Sequence, residues 1–179
     1  MKTLITSFVV VFILAALPSF GQSAYQSGNF IINGGIGLGS SIYGTVSLNG
    51  SAEYFINDEV SIGGGIGYSG YSRGRYFGDP LRVSVIYVGP RGSFHLSNTL
   101  GIDNSALDVY AGVFVGYGIV SVSYRNERVW GANPYYNGYS NFNYDIFGGA
   151  RYLFNENLAA YGELGFGISV LQLGITFSL

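Results

Sequence analysis

The sequence predicts an all-β protein: an eight-stranded antiparallel transmembrane up-and-down β-barrel, preceded by a cleaved signal peptide. Three observations lead to this prediction. The first residues have the pattern of an export signal, and apolar and polar side chains alternate with a period of two along most of the remaining chain. Charged residues make up only 10% of the sequence, against 29 glycines, whereas a water-soluble domain normally carries about 25% charged residues.

The N-terminal segment has the three parts of a secretory signal peptide. Met1 and Lys2 precede an apolar run from Leu4 to Leu17, and small residues follow from Pro18 to Gly21. The apolar run is shorter than the roughly 20 residues that a membrane-spanning helix needs. We therefore expect a signal peptide over residues 1–21 and one β-barrel domain over residues 22–179.

Alternating side chains predict four strands in each half of the mature chain. In the last segment, for example, Leu173, Ile175 and Phe177 alternate with smaller or polar residues. Segments of about 9 to 11 residues can cross a bilayer as strands, provided that the sheet closes into a barrel. The predicted strands are about Gly28–Gly39, Ile42–Tyr54, Val60–Tyr71, Arg82–Leu96, Leu107–Ile119, Asn143–Phe154, Leu158–Gly167 and Leu171–Leu179.

Two further features refine the strand prediction. Pro90 cannot donate a hydrogen bond to a neighbouring strand, so the fourth strand should be irregular there. Aromatic side chains should form a girdle at each membrane interface. The candidates are Tyr54, Phe94, Tyr152 and Phe154 at one rim, and Tyr68, Tyr117, Tyr144 and Phe166 at the other.

Five charged residues share the inward parity of the predicted strands: Glu53, Arg91, Asp108, Arg151 and Glu163. By the strand directions, all five lie toward the periplasmic half of the barrel. Buried charges persist only when they are paired, and an eight-stranded barrel has room inside for little more than side chains. The sequence therefore predicts an ion-paired plug in the lumen, with a gated ion path as the alternative.

The two longer predicted loops, Ser69–Leu81 and Ser121–Phe142, contain several arginines. A guanidinium group can bind phosphate through two hydrogen bonds, whereas lysine offers only a point charge. Contacts to lipopolysaccharide phosphates or another anionic surface partner are one interpretation, and solvated charges without a partner are the other. The candidate residues are Arg73, Arg75, Arg125 and Arg128.

Several kinds of chemistry have no support in the composition. The chain has no cysteine, and its single histidine, His95, is not part of a metal-ligand motif. The net charge is close to neutral, so nucleic acid is not an expected partner. We expect no cofactor, no metal and no catalysis.

The segments Glu53–Asp58 and Ala150–Phe154 are similar to each other and resemble the strand ends and short periplasmic turns of small eight-stranded outer-membrane barrels of the OmpX, OmpW and OmpA-domain type. The resemblance covers essentially the whole mature chain. It implies a monomer in the outer membrane of a Gram-negative bacterium, surrounded by outer-membrane lipid and inserted by the barrel assembly machinery. The chain departs from the family by ending on Leu179 instead of an aromatic residue.

The resemblance favours a structural or surface-interaction role and leaves two alternatives. One is a small-solute channel or hydrophobic carrier of the OmpW type, which requires an open polar lumen. The other is an outer-membrane lipid-modifying enzyme, because Ser93 and His95 share one strand face and are similar to part of the site in lipid A deacylases. The order and spacing of the two residues differ from that family, so a histidine without a catalytic task is the favoured interpretation.

Overall fold

The protein is described by a computed structural model that covers residues 24–40, 44–76, 79–124 and 139–179. The predicted signal peptide and the candidate residues Arg125 and Arg128 lie outside these ranges. Within them the chain forms eight strands: β1 (Phe30–Ser40), β2 (Gly44–Phe55), β3 (Val60–Tyr76), β4 (Asp79–His95), β5 (Leu107–Tyr124), β6 (Tyr139–Leu153), β7 (Leu158–Phe166) and β8 (Leu171–Ser178).

Each strand pairs antiparallel with the next, and β8 pairs with β1, so the sheet closes into a barrel. Closure gives every strand a hydrogen-bonded neighbour on both sides, which is what a β-structure in hydrocarbon requires. The predicted fold and strand count are confirmed. No helix in the described ranges is long and apolar enough to cross a membrane.

The period-two alternation separates an apolar outer face from a polar lumen. On β8, Leu173, Ile175 and Phe177 are about half exposed, whereas the side chain of Thr176 between them is fully buried. The eight aromatic residues predicted for the two girdles are also exposed on the outer face. Their strand pairing places them at two levels, one near the start of β1 and the end of β8, and one near the opposite end of the barrel.

Two turns at the end of the barrel where β1 starts and β8 ends share one local design. Asn57 Oδ1 accepts the backbone amides of Glu59 and Val60, and Asn155 Oδ1 in the β6–β7 turn accepts those of Asn157 and Leu158. An asparagine side chain of this kind replaces backbone partners in a tight turn. The two similar sequence segments therefore form equivalent hairpins.

The predicted loop boundaries were wrong at the opposite end of the barrel. Strand β3 continues to Tyr76 and pairs there with Asp79 of β4, with a register shift between Arg73 and Arg75. Likewise β5 continues to Tyr124 and β6 begins at Tyr139. Because β1 and β2 meet at Ser40 and Gly44, the β3–β4 hairpin extends past its β2 neighbour. The strands stay paired here although apolar and polar side chains no longer alternate regularly. The alternation in the sequence therefore predicted strands that are too short.

Pro90 interrupts the pairing between β4 and β5, whereas its pairing with Gly64 of β3 is kept. Two residue pairs are missing from the β4–β5 pairing between Val88↔Tyr117 and Arg91↔Phe114. The register of the two strands is the same before and after this gap. Proline has no N–H to donate, so the missing pairs follow from its chemistry.

Inward glycines make room for aromatic rings in the lumen. A Cβ atom at Gly67 would overlap the ring of Tyr87, and one at Gly112 would overlap the ring of Phe147. The high glycine content is therefore partly a packing requirement of the narrow barrel.

Candidate functional site

Arg91 on β4 is the centre of the first group of lumen charges. Its Nε lies 2.9 Å from Glu53 Oε1 on β2, and its Nη2 lies 2.5 Å from Glu163 Oε1 on β7. Its Nη1 also donates to Glu163 Oε2 at 3.3 Å, so the contact to Glu163 is bidentate. The guanidinium carbon is 3.9 Å from the ring centroid of Phe147, which adds a cation–π contact.

Arg151 on β6 is the centre of the second group. Its Nη1 donates to Asp108 Oδ2 on β5 at 2.6 Å, and its Nε donates to Thr176 Oγ1 on β8 at 3.0 Å. Its guanidinium carbon lies 4.5 Å from the ring centroid of Tyr110. Arg151 is only 1% exposed, so nearly the whole cation is removed from water and depends on these contacts.

Neutral side chains join the two groups into one hydrogen-bonded network. Thr176 donates to Asn33 Oδ1 on β1, and Asn33 Nδ2 donates to Glu53 Oε1. The hydroxyls of Ser61 on β3 and Ser93 on β4 both donate to Glu53 Oε2, and Tyr110 donates to Glu163 Oε1. Every strand of the barrel thus contributes at least one side chain to this network, which we call the lumen network.

His95 belongs to the lumen network, although the sequence analysis assigned it no task. Its Nδ1 lies 2.8 Å from Asp108 Oδ1 and its Nε2 lies 3.0 Å from Ser61 Oγ. Serine, histidine and aspartate are thus connected in the order of a hydrolase triad. The Ser61 hydroxyl, however, donates to Glu53 and is fully buried, so it is neither activated by His95 nor accessible to a substrate. Ser93, the other candidate partner, contacts Glu53 and not His95.

The described residues before β1, from Ala24 to Asn29, cover the end of the barrel nearest the lumen network. Tyr25 is 4% exposed, its ring centroid lies 5.1 Å from that of Phe55, and the Arg151 guanidinium carbon is 5.4 Å from its ring centroid. Backbone hydrogen bonds between Gly28 and Phe55 and between Phe55 and Asn29 hold the segment against β2. Burial raises the pKa of the Tyr25 phenol to about 12, against the opposing effect of Arg151.

On the other side of the lumen network, aromatic rings and the β7–β8 turn fill the barrel. Ile168 in this turn is 5% exposed and packs in one cluster of buried residues with Tyr87, Tyr110, Phe114 and Phe147. The neighbouring Ser169 lies within hydrogen-bond distance of Ser47, at 3.1 Å between the two hydroxyl oxygens. The turn therefore folds into the lumen instead of extending outward.

The structure brings all five predicted lumen charges together, in the half of the barrel that holds the start of β1 and the end of β8. The sequence analysis did not single out the uncharged members of the lumen network. The pattern that could have identified them is the inward parity that they share with the charged residues. Arg73 and Arg75 lie in strand β3 and not in a loop, a correction that follows from the longer β3–β4 hairpin. Within the described ranges, no group of three or more histidine, aspartate or glutamate residues is arranged to hold a metal ion.

Comparison with solved structures places this architecture among known barrels. The N-terminal β-barrel domain of Pseudomonas aeruginosa OprF is similar over 87% of this chain and 100% of its own, with a TM-score of 0.57 at 17% identity. The chain has the fold of the small outer-membrane β-barrels. No protein-family profile and no curated protein sequence matches it.

Two further outer-membrane barrels share this fold. Ail of Yersinia pestis, solved in complex with the heparin analogue sucrose octasulfate, is similar over 86% of this chain and 99% of its own, with a TM-score of 0.53 at 12% identity. OprG of Pseudomonas aeruginosa is similar over 87% of this chain and 97% of its own, with a TM-score of 0.53 at 11% identity. At these identities the likeness concerns the fold.

Proposed function

We propose that this protein is an integral outer-membrane barrel with a structural or surface-interaction role, and that its lumen passes no solute. The lumen network carries this proposal, because side chains from all eight strands meet across an interior that is narrow in any eight-stranded barrel. On one side of the network the buried side chain of Tyr25 adds a further layer, and on the other side that of Ile168, from the β7–β8 turn, adds another. The apolar outer face and the shared fold support the membrane location.

Conductance in planar lipid bilayers tests the closed lumen. We expect the refolded wild-type protein to stay near the baseline current. A variant with alanine at Tyr25, Arg91 and Glu163 lacks the Tyr25 ring on one side of the network and the ion pair between Arg91 and Glu163. We expect it to give measurable current steps. Large steady single-channel currents from the wild type would overturn the proposal and favour the small-solute channel.

A lipid-modifying activity has less support. The hydrogen bonds of Ser61, His95 and Asp108 follow the order of a triad, but their burial keeps lipid away from the serine. A catalytic serine also needs its proton directed to the histidine, whereas Ser61 donates to Glu53. These contacts favour a structural task for His95.

The surface role that we favour is recognition of anionic groups at the outer rim. Arg73 and Arg75 lie on the part of the β3–β4 hairpin that extends past β2, and Arg125 and Arg128 belong to the β5–β6 connection. The structure of Ail with a sulfated ligand provides a precedent for anion binding by a barrel of this fold. Arginine suits phosphate or sulfate because its planar group forms two parallel hydrogen bonds.

Cosedimentation with liposomes tests this role. For this assay the protein is reconstituted in nanodiscs. We expect these nanodiscs to cosediment with lipopolysaccharide-containing liposomes more than with phosphatidylcholine liposomes. Changing Arg73, Arg75, Arg125 and Arg128 to glutamine should abolish the difference, whereas changing the same four to lysine should retain only part of it. Equal association of the wild type and the glutamine variant would exclude a phosphate-binding role for these residues.

A further inference from the structure

The hydrogen bonds around His95 show how many protons its ring carries. Its Nδ1 atom lies 2.8 Å from Asp108 Oδ1, and the oxygen of an ionised carboxylate can only accept a hydrogen bond. Asp108 is ionised because its other oxygen is ion-paired with Arg151 Nη1 at 2.6 Å. The Nδ1 atom of His95 must therefore donate, which places one proton there.

The second ring nitrogen of His95, Nε2, lies 3.0 Å from Ser61 Oγ. A serine hydroxyl has one proton to donate, and Ser61 donates it to Glu53 Oε2 at 2.9 Å. Glu53 is ion-paired with Arg91 and accepts a further hydrogen bond from Ser93, so it has no proton to offer in return. Ser61 can therefore bind His95 only as an acceptor, and Nε2 carries a second proton. A ring with both nitrogens protonated is a charged imidazolium.

The charges of the lumen network balance only with this second proton. The group centred on Arg91 contains one guanidinium and two carboxylates, so its net charge is negative. The group centred on Arg151 contains one guanidinium, one carboxylate and His95, which is 3% exposed. Ser61 joins the two groups. A charged His95 compensates the negative group, whereas a neutral ring would leave one buried negative charge uncompensated, which is unfavourable.

Groups from every neighbouring element surround the His95 ring. Its centroid lies 4.4 Å from that of Phe55 on β2 and 5.7 Å from that of Tyr110 on β5, and these rings keep water away. Strand β3 contributes Ser61, which does not titrate. Carboxylates and phenols keep their charge state near pH 8, so His95 is the member of this set whose charge can change there. The titratable and charged groups that face the ring or its direct partners are Glu53 on β2, Asp108 and Tyr110 on β5, Arg151 on β6, Glu163 on β7 and Tyr25 before β1.

We propose that His95 is the third cation of the lumen network, doubly protonated at neutral pH, and that loss of one ring proton at alkaline pH releases the residues before β1 from the end of the barrel. A neutral ring can donate through only one nitrogen, so it loses its hydrogen bond to Asp108 or to Ser61. Phe55 packs against both His95 and Tyr25, so a displaced imidazole also disturbs the packing of Tyr25. The proposal goes beyond the closed lumen and the surface role and depends on neither.

NMR of the protein with ¹⁵N-labelled histidine reads the ring protons directly, because His95 is the only histidine of the chain. The sample is refolded in detergent micelles without a histidine tag and measured at about pH 8, where an unperturbed imidazole is neutral. We expect both ring nitrogens to give the signal of a protonated nitrogen. One protonated and one unprotonated nitrogen, the pattern of a neutral ring, would overturn the proposal.

Urea titrations in liposomes at several pH values measure the linked proton. The chain has no cysteine, and its single lysine lies in the predicted signal peptide, so His95 and the terminal amino group are the groups expected to titrate between about pH 7.5 and 9. An unfolded histidine loses its proton near pH 6.5, roughly. Above that pH, a folded protein that keeps the proton becomes less stable as the pH rises, by up to about tenfold in the folding equilibrium constant for each pH unit.

Variants assign this pH dependence to His95. The change His95→Gln should remove most of it, whereas Glu156→Gln, in an exposed turn, should keep it. The Gly28 amide, which donates to the Phe55 carbonyl, should also lose protection from hydrogen exchange over the same pH range in the wild type, relative to its intrinsic exchange rate. Equal pH dependence of the wild type and His95→Gln, or unchanged protection of Gly28, would contradict the proposal. The wild-type NMR and exchange measurements decide if His95→Gln does not fold.

Discussion

Replacing Arg91 with methionine should destabilise the barrel far more than the loss of one surface charge would. Methionine keeps much of the side-chain length, so the change removes chiefly the guanidinium group and its three hydrogen bonds to Glu53 and Glu163. Those two acids are 0% and 4% exposed, and both would stay buried without their cation. Breaking a buried ion pair from one side typically costs about 3–5 kcal/mol, and loss of the cation–π contact with Phe147 adds about 0.5–2 kcal/mol.

The companion variant removes all three charges by adding Glu53→Gln and Glu163→Gln to Arg91→Met. Neutral amides still accept and donate hydrogen bonds, and a whole buried ion pair can often be replaced at little net cost. We therefore expect the triple variant to recover most of the stability that Arg91→Met loses. This comparison separates the cost of stranded charges from the cost of lost packing.

Urea titration of the protein refolded in liposomes measures these differences. The folded fraction follows from the faster migration of the folded barrel in unheated SDS gels. Glu156→Gln, in an exposed turn, serves as the control and should change the unfolding free energy by no more than about 0.5 kcal/mol. The reasoning is refuted if Arg91→Met loses less than about 1 kcal/mol, or if the triple variant is no more stable than Arg91→Met.

Four further outcomes can be checked in the same assays. Arg151→Met should lower the unfolding free energy by about 3–5 kcal/mol, because it strands Asp108, and a loss no larger than that of Glu156→Gln would contradict this. Tyr25→Ala should lower it by about 3 kcal/mol through the lost packing on Phe55, and should speed exchange of the Gly28 amide by hydrogen-exchange mass spectrometry. Gly67→Ala should cost about 1–3 kcal/mol because its Cβ would overlap the Tyr87 ring, whereas outward Gly64→Ala should be tolerated. The folded wild type should resist mild SDS until heated, and identical migration of boiled and unboiled samples would argue against a closed barrel.

Much of the fold was predictable because strand structure leaves a local mark on the sequence. A strand with one face in lipid and one in a narrow lumen must alternate, and the eight predicted segments each coincide with one of the eight strands. The irregularity at Pro90 followed from one chemical fact, the missing N–H. The sequence did not predict where β3 and β5 end or where β4 and β6 begin. Strands that continue beyond the bilayer can pair through their backbones without an apolar face, so no alternation marks them.

The candidate site was predictable only as a set of residues. Inward parity and charge identified Glu53, Arg91, Asp108, Arg151 and Glu163, because a charge in the lumen has to be paired. His95 has the same parity, but a single histidine could not be assigned a partner from the sequence. Tyr25 lies before the first strand, where no periodicity applies, so its position under the barrel had no local signal.

The sequence by itself determined that there are eight strands, which faces they have and which charges point into the lumen, since each depends on neighbours a few residues apart. Only the tertiary structure decided which of those charges meet. Arg91 binds Glu163 across 72 positions, and Thr176 donates to Asn33 across 143 positions. Such contacts depend on how far each strand is shifted against the next around the closed barrel. That stagger is set by all eight pairings together, and no single segment of the chain records it.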